Sequence, residues 1–197
     1  MEKLIANIRL INLGGQDCHH QDKGSFTGDI SAKMLKDAGA YYVILGHSER
    51  RKHHLELDQI IAKKITASVQ QDLAPILCVG ESKEQRENNQ FHDFIANQLE
   101  NSLPKNLSIK KLIVAYEPVW SIGSGLIPTV EQIEEVSSLI KNQLQKNKNI
   151  AEFKIIYGGS VDKGNSGMIL KAKNVDGLLV GGSSLKDQDF FEIIQSC

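Results

Sequence analysis

Six apolar runs of strand-forming residues recur along the chain, "IRLINLGG", "YYVILG", "APILCVG", "KKLIVAY", "FKIIYGG" and "DGLLVGG", and most of the intervals between them carry a helical pattern. No other feature restricts the fold as much. Leu57 to Leu73 sets Ile61, Ile65 and Val69 four apart on one face, and Phe91, Phe94, Ile95 and Leu99 form a second stripe. Thr129 and Gln132 have the capping-box spacing ahead of Ile133, Val136, Ile140 and Leu144, which predicts a helix start there. Regular alternation of strand and helix predicts a single α/β domain over residues 1–197, built on a parallel sheet with helices outside. Such a sheet is either closed as a barrel or open and doubly wound.

Composition narrows the partners. With 41% hydrophobic residues, 24% charged residues and a net charge of -1, the chain lacks the basic excess that neutralises nucleic-acid phosphates, so no nucleic-acid partner is expected. No apolar run approaches the ~20 residues of a membrane span, and the start "MEKLIANIRL" lacks the apolar region and cleavage site of a signal peptide. The expectation is a cytoplasmic protein with no membrane partner. Cys18, Cys78 and Cys197 are widely spaced and form no CxxC, which predicts free thiols rather than a disulfide framework or a zinc site. The pairs His19–His20 and His53–His54 invite a metal reading, but no carboxylate or thiol spacing accompanies them, so no metal site is expected.

The glycines separate the two closures. A dinucleotide-binding sheet would carry GxGxxG after its first strand, and that motif is absent. Instead, "YGGSV" (Tyr157 to Val161) and "VGGSSL" (Val180 to Leu185) follow the last two strands, where barrels commonly build a phosphate site from backbone N–H groups. Either turn alone would equally be a tight strand-to-helix connection. Two strand ends also carry polar chemistry. "YYVILGHSERR" (Tyr41 to Arg51) delivers His47, and "AYEPVWSIGSG" (Ala115 to Gly125) delivers Glu117, both to the C-terminal mouth of the sheet. Each singly could be a satisfied structural group. Together, a carboxylate base and an imidazole facing a phosphate-binding rim are what proton abstraction beside a carbonyl requires.

"ILGHSERR", "CVGES", "AYEPVWSIGSG", "YGGSV" and "LLVGGSSL", in this order and at these spacings, resemble the triosephosphate isomerase family, and "QDCHHQDKGSFTGDIS" (Gln16 to Ser31) resembles that family's third strand end and projecting dimer loop. The resemblance implies a TIM-type (β/α) barrel. It implies Glu117 as the base that moves a proton between adjacent carbons and His47 as the neutral electrophile that polarises the carbonyl; this family is the standard example of that division of roles. It also implies Pro118 to Gly125 as a hinged lid, with Gly123, Ser160, Gly181 and Gly182 as substrate-phosphate contacts. No cofactor is needed. The expected substrate is a triose phosphate, dihydroxyacetone phosphate or glyceraldehyde 3-phosphate, and the expected partner is a second copy, met through the loop from Cys18 to Thr27. The lid ends in "LIPT" (Leu126 to Thr129) where the family usually has a lysine-containing hinge.

The family begins with a strand bearing an Asn and a Lys that contact substrate, followed by a helix and a second strand. No such stretch occurs here, so about six of eight βα units are expected, in an incomplete barrel with sheet edges near Ile8 and near Gly177. Loss of that lysine predicts turnover by this chain at least about a hundredfold below a full-length member. The rival reading is a non-catalytic remnant that binds phosphate or a partner chain through the same turns. Glu49, whose family partner is that lysine, is expected to stay hydrated.

Overall fold

The computed structural model describes residues 11–197. Six parallel strands, β1 (Leu13–Gly15), β2 (Ala40–Leu45), β3 (Ala74–Val79), β4 (Ile109–Tyr116), β5 (Ile150–Tyr157) and β6 (Gly177–Leu178), pair in sequence order into one curled sheet. β-branched residues crowd the central strands because both of their faces are covered, and Leu77, Cys78, Leu112, Val114 and Tyr116 are fully buried. Among the described residues β1 and β6 pair on one side only. The expected strand start near Ile8 lies outside the described residues. The edge expected near Gly177 is observed, but β6 is only two residues long, since glycines at Gly177, Gly181 and Gly182 weaken strand pairing.

Helices cover the sheet over Ala32–Asp37, Asp58–Gln70, Phe91–Ser102, Val130–Lys146 and Asp187–Gln195. The expected stripes face inward: Ile61, Ile65, Phe91, Ile95 and Leu99 are buried, and Val69 and Phe94 pack against them. Thr129 caps its helix as its spacing predicts, its hydroxyl accepting from the Gln132 N–H while the Gln132 side chain reaches back to the Thr129 N–H. One interval departs from the helical pattern. Between β5 and β6 only Ser166–Ile169 is helical, because Gly164, Asn165 and Gly167 are poor helix formers. No helix among the described residues is long and apolar enough to cross a membrane.

Candidate active site

The C-terminal ends of the strands open into a cavity of about 980 Å³, and His47, Glu117, Gly123, Ser160, Gly181 and Gly182 all line it. His47 is the N-cap of the short helix Ser48–His53 that follows β2. Its Nδ1 accepts from the Glu49 N–H at 3.3 Å, which leaves the ring proton on Nε2. That nitrogen lies 3.0 Å from Oε1 of Glu117. The approach is close but off the line of a hydrogen bond, so Oε1 is buried without an aligned donor. Oε2 accepts from the Ser48 N–H at 3.1 Å. Glu117 is 2% exposed, and a carboxylate so enclosed needs the cationic or donor groups that this helix start supplies.

The hydrogen-bonding proximity of Glu117 is the main reason that the His47 imidazole sits above its ordinary 6.5; burial opposes the rise, and the charges of Glu117 and Glu49 add to it. Glu49 itself points to water, 72% exposed and 4.0 Å from Nδ1, and it pairs with neither Arg50 nor Arg51. This is the hydrated arrangement expected from the sequence. Cys78 lies fully buried behind Glu117, and burial together with that carboxylate pushes its thiol well up.

Glu117 comes from the end of β4, where its N–H donates to the Val79 carbonyl of β3 at 2.8 Å. Gly80 makes the approach possible, since a Cβ there would lie 1.7 Å from the Glu117 carbonyl oxygen. The following segment, Pro118 to Gly125, is a series of turns carrying positive φ at Gly123 (68°) and Gly125 (74°), neither with a neighbour that a side chain would meet. Its base is anchored by a residue that sequence reasoning quoted in "CVGES" but gave no role. Glu81 is fully buried, and its Oε1 accepts from Trp120 Nε1 (3.0 Å), Tyr116 Oη (3.1 Å) and Arg86 Nε (2.8 Å). Its signal was available: like Glu117, it is a carboxylate placed directly after an apolar strand. Trp120 therefore does more than pack.

Ser121 is equally buried and was also missed. Its hydroxyl donates to the Leu126 carbonyl at 2.7 Å, and its own carbonyl accepts from Ser160 Oγ at 2.5 Å, so the Pro118 to Gly125 segment and the first glycine turn are joined. Gly181 and Gly182 open the second turn, a short 3-10 segment reaching Leu185, in which Ser183 Oγ donates to the Val161 carbonyl at 2.8 Å. The loop from Cys18 to Thr27 has a mixed placement. Cys18 is buried at its base beside Ser68, whereas Phe26, Thr27 and Ile30 are exposed, and the His19 N–H donates to the Ile30 carbonyl at 2.8 Å to close the loop. No cluster of three or more His, Cys, Asp or Glu able to hold a metal ion occurs among the described residues.

The family model for triosephosphate isomerase matches residues 1–197. The chain belongs to the triosephosphate isomerase family. It is 48% identical over 195 residues to the triosephosphate isomerase of Ruegeria pomeroyi, covering 98% of this chain and 78% of that relative. It is 43% identical over 194 residues to that of Bradyrhizobium diazoefficiens, covering 98% and 77%. In structure it is similar to the triosephosphate isomerase of Bartonella henselae, with a TM-score of 0.86 and 42% identity over 94% of this chain and 76% of that one. The six-stranded sheet is thus an incomplete TIM barrel, and isomerase membership is supported where a non-catalytic remnant is not.

Proposed function

We propose that the chain interconverts dihydroxyacetone phosphate and D-glyceraldehyde 3-phosphate, with Glu117 as the base and His47 as the electrophile. The observation that carries this reading is the 3.0 Å approach of His47 Nε2 to Glu117 Oε1 inside a cavity that the two glycine turns also line. Glu117 Oε1 has no aligned donor to give up, so it is free to accept a proton from a substrate carbon once the carboxylate turns from Ser48. His47 keeps its proton on Nε2 because Nδ1 is occupied by the Glu49 N–H, and that proton is placed to polarise the substrate carbonyl. Turning the carboxylate toward substrate also removes the main cause of the elevated imidazole pKa, which favours the neutral ring during the reaction.

Gly123, Ser160, Gly181 and Gly182 hold the substrate phosphate, and the Glu81–Trp120 anchor sets the lid that excludes water from the enediolate. Proton transfer between adjacent carbons can be run by an acid and a base alone, so the proposed reaction calls for no metal or cofactor. The exposed Phe26 and Ile30 on a loop closed at its base support a homodimer contact through the region Cys18 to Thr27. Three free cysteines fit a reducing, cytoplasmic setting. A steady-state assay on the purified protein tests the assignment: Glu117→Gln is expected to lower turnover about a hundredfold or more, and unchanged turnover places the base elsewhere.

A further inference from the structure

Arg51 stands one helical turn beyond His47 and points back under it. Its Nε donates to the Gly46 carbonyl at 2.7 Å, one residue before His47. One terminal nitrogen donates to the Cys78 carbonyl at 3.1 Å, one residue before Val79, whose own carbonyl receives the Glu117 N–H. The other terminal nitrogen meets Asp58 Oδ1 at 2.6 Å, and Ser102 Oγ donates to the same oxygen at 3.0 Å. The side chain is 18% exposed, and Arg51, Gly46, Ser48 and Glu117 line the same narrow gap. One planar guanidinium therefore spans the ends of β2 and β3 while an anchored carboxylate fixes its own orientation.

We propose that Arg51, held by Asp58, is a positioning residue that fixes the end of β2, which carries His47, against β3, to whose Val79 carbonyl Glu117 is hydrogen-bonded, and so sets the separation of the two side chains. The proposal rests on the pairing of those two side chains as the reacting groups. A lysine cannot take this place: a single ammonium on a flexible stem does not present the fork that serves two carbonyls and a carboxylate together. Small displacements matter here because the effect of the carboxylate on the imidazole falls with distance and because proton transfer depends on placement to within about 1 Å. Among the described residues the carboxylates that approach His47 are Glu117, at 3.0 Å, and Glu49, at 4.0 Å, while the Cys78 thiol behind Glu117 stays neutral.

The test is an NMR titration of the His47 imidazole in the full chain and in three variants, with folding followed separately by thermal melts. Glu117→Gln sets the scale by removing the carboxylate, and it is expected to lower the His47 midpoint. Arg51→Lys is expected to lower it by at least half of that amount. Asp58→Asn keeps the shape and one acceptor oxygen, so it is the variant that folds if Arg51→Lys does not, and it is expected to move the midpoint the same way. A purely structural role would lower the melting temperature and leave the midpoint in place. A midpoint that responds to Glu117→Gln but not to whichever of the other two folds overturns the positioning role and leaves the pairing intact. A midpoint indifferent to Glu117→Gln overturns the pairing, and the positioning role with it.

Discussion

Glu117 is nearly sealed from water, yet one of its oxygens has no aligned donor, and such an atom in a folded protein calls for a reason. The proposed role of Glu117 as base supplies one, since an acceptor already satisfied would be a poorer base. The cost is offset at His47, whose elevated pKa means that the imidazolium form stabilises the fold. A group with a raised folded-state pKa contributes stability that is fully present below its unfolded value of 6.5 and is lost as pH rises through the raised value. Denaturant melts across this range should therefore show wild type losing stability relative to Glu117→Gln as pH climbs; parallel curves would mean that the two groups are not coupled. Glu49 is the contrasting carboxylate. Because it is hydrated and unpaired with either arginine, Glu49→Gln is expected to change folding stability by no more than ~0.5 kcal/mol, and a loss of several would show it buried in solution. That His47 and Glu117 would share one cavity was legible in the sequence because each lies at the end of an apolar strand. Glu81 has the same placement, but its role depends on Trp120, Tyr116 and Arg86 converging from other elements, which no local pattern displays.

Pro118 to Gly125, the proposed lid, is the element on which the proposed chemistry depends most. Its base is fixed through Trp120 to Glu81 and through Ser121 to Leu126 and Ser160, while its tip carries two positive-φ glycines, Gly123 and Gly125. Trp120→Phe removes the bond to Glu81 without changing the ring's apolar character. The enediolate should then meet water more often, and release of inorganic phosphate per turnover should rise; an unchanged ratio would mean that the anchor does not govern closure. The helix Val130–Lys146 that follows begins where its capping box predicts. Thr129→Ala is expected to cost about 1 kcal/mol by chemical denaturation, and a negligible loss would show that the N–H groups find other partners. Helices with long apolar stripes were legible to within a few residues, as Asp58–Gln70 and Phe91–Ser102 show. The interval before β6 was not, because its glycines and Asn165 allow only the single turn Ser166–Ile169.

Across the whole molecule, one curled parallel sheet brings together strand ends separated by more than a hundred residues, so that turns after β2, β4, β5 and β6 share one cavity. Sequence alternation carried the parallel order, because each strand needs a crossover to the next. It could not set strand length, and β6 contributes two residues where the pattern "DGLLVGG" reads as more. Their central place in the sheet, flanked on each side by strands that are themselves paired on both sides, should make β3 and β4 the slowest to exchange amide hydrogens, with β6 exchanging first; uniform protection would contradict this ordering. The proposed function makes these features serve the transfer of a proton between adjacent carbons by Glu117, and NMR of the product formed from dihydroxyacetone phosphate in deuterated water tests that step most directly. A carboxylate that holds the proton in transit exchanges it with solvent, so wild-type product should carry deuterium beside the carbonyl, and Glu117→Gln should form almost none of this labelled product. Product that forms at the wild-type rate in Glu117→Gln, or that never takes up deuterium, would contradict the account.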